Sequence, residues 1–276
     1  MIDGAQAGRN SQLFDGPSGA ILSVRALARR FGGLVAIDNL DLDISRGTVH
    51  ALIGPNGAGK STAVNLLSGE LKPSSGTIRL DGAELTRRPP HAVAKAGIAR
   101  TFQNGRLFGR LSVVENVLIG ADSRERSSLL AAVARTRTFR TEEAQMRTEA
   151  MSLLAKLEMT ADADRPVSTL SYGKQRRLEI ARALILRPKV LLLDEPAAGL
   201  NSGEVDALID LIGELRHDGL TILLIEHNMG LVMRLADRIS VLNFGKKIAE
   251  GTAQEISESE PVIEAYLGRK AAHARV

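Results

Sequence analysis

Short, solidly apolar runs alternate with longer stretches of mixed polarity along most of this chain. Val49–Ile53, Val190–Leu193, Thr221–Ile225 and Ile239–Asn243 carry almost nothing polar, the pattern of strands covered on both faces. Ile21–Val24 is a further short strand candidate, and Leu40–Ile44 is apolar at 40, 42 and 44, a period of two that exposes one face. Thr77–Leu80 lies between Ser-Gly and Asp-Gly pairs and reads as a hairpin strand, so the early strands are expected to run antiparallel. Helices are expected from the end of a glycine-rich loop through Leu67, over Thr141–Met159 with Ala144, Met151, Leu154 and Leu157 near one stripe, over Ser202–Arg216, and over Ala253–Leu267. Apolar strands alternating with helices predict an α/β fold around a parallel sheet. Between about residues 105 and 166 the strand signals fade and Ala, Arg, Glu and Leu dominate; this predicts a helical insertion lobe. Residues 1–20 read as a flexible N-terminal tail.

Composition narrows the classes. With 276 residues, 44% of them hydrophobic and 25% charged, the chain can bury a globular core. Aromatic residues make up 3% and Trp is absent, which argues against a base-stacking face for single-stranded nucleic acid. The formal charge of +4, from 36 basic and 32 acidic residues, reads as a mixed solvated surface, and no nucleic-acid partner is expected. Cysteine is absent, which removes disulfides and thiolate metal sites and points to a reducing compartment. Met1–Gly19 lacks the charged and apolar segments of a signal peptide. The apolar runs fall far short of the ~20 residues that span a bilayer. A soluble protein is expected, with any membrane connection made through partners.

The strongest chemistry sits after Val49–Ile53. Gly54-Pro55-Asn56-Gly57-Ala58-Gly59-Lys60-Ser61-Thr62 matches the phosphate-loop pattern G-x-x-x-x-G-K-[ST] between a strand and a helix. Glycines let successive backbone N–H groups turn inward around an anion, and the following helix points its positive dipole end at the same place. Lys60 supplies a charge for the β and γ phosphates, and the Ser61 hydroxyl is a ligand for Mg²⁺. A second element fits the first. The run Val190–Leu193 ends in Asp194 and Glu195, at the strand end where ligands of a parallel sheet bind. Asp194 is placed to hold Mg²⁺ through water and Glu195 to polarise an attacking water. An adjacent glutamate marks an enzyme that hydrolyses its nucleotide.

With Leu170-Ser171-Tyr172-Gly173-Lys174-Gln175 the chain resembles the ABC ATPases, whose signature is most often Leu-Ser-Gly-Gly-Gln. The resemblance covers about residues 21 to 268. It implies a P-loop NTPase core with a mixed sheet, an antiparallel β subdomain and the helical lobe, flanked by a C-terminal tail at 269–276. It also implies roles for residues weak in isolation. Phe31 stands where the family's aromatic stacks on adenine. Gln103 matches the loop glutamine at Mg²⁺ and the attacking water, and His227 the switch histidine at the γ-phosphate. Ser171 and Gly173 face the γ-phosphate held by an opposite subunit, so that two cassettes enclose two ATP molecules.

Two departures stand out: Tyr172 and Lys174 replace the commonest Gly and Gln, and Asn201 stands where many members have Asp. These segments, with Arg100-Thr101-Phe102-Gln103, Arg106-Leu107-Phe108, Glu226-His227-Asn228-Met229 and Ala265-Tyr266-Leu267-Gly268, are similar to the ATP-binding subunits of bacterial branched-chain amino acid importers. The resemblance implies ATP and Mg²⁺ as cofactors and a peripheral place on the cytoplasmic face of the inner (plasma) membrane. Its implied partners are integral-membrane permease subunits, a second ABC ATPase subunit in a homo- or heterodimer and, indirectly, a periplasmic or extracellular solute-binding protein. Residues near 104–111 are expected to receive a permease helix. An ATPase for another solute or for lipopolysaccharide export remains open, as does a non-transport ABC ATPase.

Overall fold

The computed structural model describes residues 19–101, 107–121 and 137–267. Two sheets organise them. The first is a four-stranded antiparallel sheet in the order β2-β1-β4-β5, built from β1 (Ala20–Phe31), β2 (Leu34–Ser45), β4 (Ser75–Leu80) and β5 (Ala83–Glu84). The second has the order β10-β9-β3-β8-β7-β6. Its strands β3 (Val49–Ile53), β6 (Ile98–Arg100), β7 (Val190–Asp194), β8 (Thr221–Ile225) and β9 (Arg238–Asn243) pair in parallel, and β10 (Lys246–Gly251) closes the edge antiparallel. This is the mixed sheet with an antiparallel subdomain that the resemblance implies.

Strands β3, β7 and β8 are buried at every position, which accounts for their lack of polar alternation. One face of the six-stranded sheet, together with α1 (Lys60–Leu67), packs on the antiparallel sheet through residues such as Leu52, Leu192, Val64, Ile37 and Leu42. The other face carries α3 (Val113–Ala121), α4 (Arg137–Lys156), α5 (Tyr172–Leu184) and α6 (Ser202–His217). Leu154, Leu178 and Ile212 there share one apolar cluster with Leu191, Leu193 and Leu224 of the sheet. A smaller cluster joins Ala51, Ile53 and Val241 to α7 (Met229–Leu235), α8 (Ala253–Glu258) and α9 (Glu260–Leu267) through Val232, Ile256 and Val262. The short α2 (Pro90–Ala96) feeds β6.

Three sequence expectations change. The strand expected at Ile21–Val24 runs to Phe31 and that at Leu40–Ile44 begins at Leu34. Ala26 and Asn39 adopt positive φ of 46° and 55°, and the β1–β2 register shifts between Val24 and Leu27; such bulges break the period of two without ending the strand. The helix expected over Ala253–Leu267 is two helices. Ser259 is extended at ψ 113°, and Pro261 has no N–H with which to continue the first helix. The strand β6 was not anticipated, since three residues carry too little pattern.

Candidate active site

The parallel strands bring three loop starts to one edge: Gly54 after β3, Glu195 after β7 and Glu226 after β8. These are neighbouring carboxyl ends, where an open parallel sheet binds its ligands. Gly54, Gly57 and Gly59 have φ of 151°, 80° and 105°. At Gly59 a Cβ would lie 2.6 Å from the Ala36 carbonyl oxygen, and at Gly54 2.2 Å from that of Leu242. The loop is therefore seated against both sheets and tolerates no side chain at either position. Gly57 has open space around it, on the exposed rim of the loop. Helix α1 begins at Lys60 with no side-chain cap and no acidic residue in its first turn, so its N-terminal dipole is left for an anion. Ser61, exposed, and Thr62 lie in that turn.

Lys60 is 7% exposed, and its Nζ donates to the carbonyl oxygens of Gly54 at 2.7 Å and Pro55 at 3.1 Å. Burial holds its ammonium below the usual lysine range, while the charges of Glu195 and Asp194 pull it back up. The phosphate loop and the acids at the end of β7 thus share one electrostatic environment.

Asp194 is buried, and its Oδ2 accepts from Arg100 Nη2 at 2.7 Å. Arg100 also donates to Asn65 Oδ1 at 2.7 Å and faces Glu70 at 3.4 Å. It braces the end of β7 against α1. Glu195 leaves the sheet with φ 49°, and its N–H donates to the Ile225 carbonyl at 2.9 Å. Its Oε1 stands 3.9 Å from His227 Nδ1. The expected base and the switch histidine therefore face each other across adjacent strand ends. Gln103 lies outside the described residues.

Phe31 ends β1 at the hairpin tip, 42% exposed, with the Arg29 guanidinium 4.5 Å from its ring centre. Ala36, on the returning strand, touches the phosphate loop at Gly59, so the hairpin sits beside that loop. The signature lies apart. Ser171 caps α5, its Oγ accepting from the Lys174 N–H at 3.4 Å. It shares a recess with Gly173, Arg177, Leu200 and Glu204 and with no residue of the phosphate loop. A Cβ on Gly173 would lie 2.6 Å from Glu204 Oε1, and Glu204 forms a capping box with Asn201. The Tyr172 hydroxyl accepts from buried Arg176 at 2.8 Å, and its ring lies 3.0 Å from where a Cβ on Gly199 would stand. Of the departures from the commonest family pattern, Tyr172 thus lies against the loop after Glu195, Lys174 donates to Asp162, and Asn201 caps α6.

A family model of the ABC transporter matches residues 37–198. The chain belongs to this family. A second model, described as branched-chain amino acid ATP-binding cassette transporter, matches residues 246–272. The cassette is 46% identical over 249 residues to the high-affinity branched-chain amino acid transport ATP-binding protein BraF of Pseudomonas aeruginosa, covering 90% of this chain and 98% of that one. It is 45% identical to LivG of Escherichia coli, of the same description, with the same coverage. Among solved structures it resembles the ADP conformation of MJ1267, an ATP-binding cassette of an ABC transporter, at 31% identity and a TM-score of 0.79, covering 91% of this chain and 99% of that one. The cassette is accordingly an ATP-binding and ATP-hydrolysing subunit. Its C-terminal match reaches the phosphate loop: Pro261, Glu264 and Ala265 on α9 line one recess with Pro55, Asn56, Gly57 and Ala58.

Sequence reading passed over Arg100 and Glu226 as site residues. Each was visible only as part of a quoted segment. The signal that could find them is the one that marks Asp194 and Glu195, a charge at the end of an apolar strand.

Proposed function

We propose that this cassette energises uptake of branched-chain amino acids through separate permease subunits, hydrolysing ATP between itself and a second cassette. The observation that carries the hydrolytic part is the Glu195–His227 pair, 3.9 Å apart, beside the buried Lys60. A carboxylate there orients water in line with the γ-phosphate, while Lys60 and His227 stabilise charge on the transferring group. Phe31 takes adenine, and Gly54–Thr62 take the phosphates. Because Ser171 and Gly173 lie in a recess apart from the phosphate loop of their own chain, they act on the nucleotide of the other cassette.

The donor set suits a hard cation that keeps waters. Ser61 offers a hydroxyl and Asp194 a carboxylate, and among the described residues no group of three or more His, Cys, Asp or Glu could enclose an ion. Mg²⁺ would be held by Ser61, Gln103 and, through water, Asp194, and would neutralise charge on the phosphates. Arg100 keeps the Asp194 carboxyl fixed for that task.

Among the described residues no helix is long and apolar enough to cross a membrane, so transport requires permease partners, which the segment near 104–111 would meet from the cytoplasmic face. The amino-acid assignment rests on the BraF and LivG likeness across nearly the whole chain. Uptake of labelled leucine in cells carrying this chain with its neighbouring permease genes tests it. Uptake should require an intact Glu195; uptake indifferent to deletion of the chain would sink the solute assignment.

A further inference from the structure

Strands β7 and β8 pair up to Asp194 and Ile225, and the Glu195 N–H still reaches the Ile225 carbonyl. Donors alternate sides along a strand, so the next N–H facing β8 is that of Ala197, and it meets no β8 backbone carbonyl in the ladder. A side chain takes over. Glu226 is fully buried, at 0% exposure. Its Oε1 accepts from the Ala197 N–H at 2.8 Å, on the loop after Glu195. Its Oε2 accepts from the N–H groups of His227 at 3.0 Å and Asn228 at 3.2 Å. One carboxyl group therefore ties the loop bearing Glu195 to the loop bearing His227. Asn228 in turn caps α7, its Oδ1 accepting from the Leu231 N–H at 3.2 Å.

Resting on the hydrolytic reading above, we propose that Glu226 is a positioning residue, which sets the spacing between the water-orienting Glu195 and the phosphate-facing His227. Its own side chain is sealed from solvent, and it acts through the two loops. The chemistry requires a carboxyl group of this length. Its two acceptor oxygens are engaged on opposite sides, and a glutamine carries one acceptor and one NH₂ donor. Whichever way the amide lies, its NH₂ meets backbone N–H donors on one loop, and that link breaks. An aspartate is too short to reach both. Since Glu226 contacts none of the phosphate-loop residues through these bonds, loosening it should spare nucleotide binding and spoil turnover.

The test measures phosphate release and nucleotide affinity of the full-length chain with MgATP. Glu226→Gln should lower kcat by about tenfold to a hundredfold, the scale of an ångström-sized misplacement of catalytic groups, with KM and nucleotide affinity within about twofold of the parent. In a His227→Ala background the same substitution should add less than about threefold, because the Glu195–His227 spacing it sets no longer exists. Three results would overturn the proposal: a kcat within about twofold of the parent, a matching loss of nucleotide affinity, or a full multiplicative loss in the His227→Ala background; the last two mark a merely structural role. Glu195→Gln is the control. A parent chain that releases no phosphate overturns the hydrolytic reading and this inference with it. A working parent, an inert Glu195→Gln and an unaffected Glu226→Gln overturn this inference alone.

Discussion

Glu195 leaves β7 with its backbone in the left-handed region, φ 49°, a conformation that non-glycine residues adopt rarely and that clusters at functional turns. That turn directs the carboxylate toward His227 rather than along the strand. Glu195→Gln keeps the shape and hydrogen-bonding span but removes the basic oxygen. Phosphate release should fall by roughly 10²–10⁴, the usual worth of a general base, while ATP binding persists, as a fluorescent-nucleotide titration would read. Hydrolysis near the parent rate would take Glu195 out of this role. This residue was legible in the sequence because it follows an uninterrupted apolar run, so its position at a strand end could be inferred from its neighbours. Arg100 and Glu226 were not legible in the same way. Burial of Glu226 and the Arg100–Asp194 bond depend on which strands lie side by side, and the spacing of residues along one chain does not contain that.

Elements were legible in proportion to how completely they are buried. Strands β3, β7 and β8, covered on both faces, are apolar throughout, whereas β1 and β2 hide their length behind positive-φ bulges at Ala26 and Asn39. Within the apolar β3 stands one titratable residue. His50 is 1% exposed, and its Nε2 is 2.9 Å from Ser240 Oγ on β9; Ser240 in turn donates to Glu250 on β10 at 3.3 Å. Burial pushes its imidazole from 6.5 down to about 4, with Glu250 pulling upward and Arg238 and Lys247 adding to the fall. Between those values the unfolded chain binds a proton that the folded chain does not, so stability rises with pH across the window. The contribution is fully present above about 6.5 and is lost as pH falls toward 4, roughly 3 kcal/mol in all. Urea unfolding midpoints at several pH values check this: His50→Gln, which can still hydrogen-bond Ser240, should flatten the slope between pH 4 and 6.5. An unchanged slope would assign the acid sensitivity to other groups.

At the scale of the whole molecule, the phosphate loop and the signature belong to one chain but to different places on it. Lys60 is buried among the strand ends, whereas Ser171 and Gly173 line a recess with Glu204. On the function proposed above, each cassette lends its signature to the nucleotide of the other. The arrangement makes a prediction that no single-chain site could satisfy. Lys60→Ala removes the phosphate charge, and Gly173→Asp places a carboxylate at the anion-facing helix start, where a Cβ alone already meets Glu204. Each variant should be inactive by itself. In an equal mixture, about half of the dimers formed at random contain one of each. Each mixed dimer has one site where both defects meet and one where the intact phosphate loop faces the intact signature. Phosphate release should therefore return to about a quarter of the parent level per chain, provided the two sites fire independently. A mixture that dimerises by light scattering yet stays inactive would place the complete site within one chain or require both sites to act together. Recovery that rises with the mixed fraction, as the ratio of the two variants is varied, would establish that hydrolysis is shared between two copies of the fold.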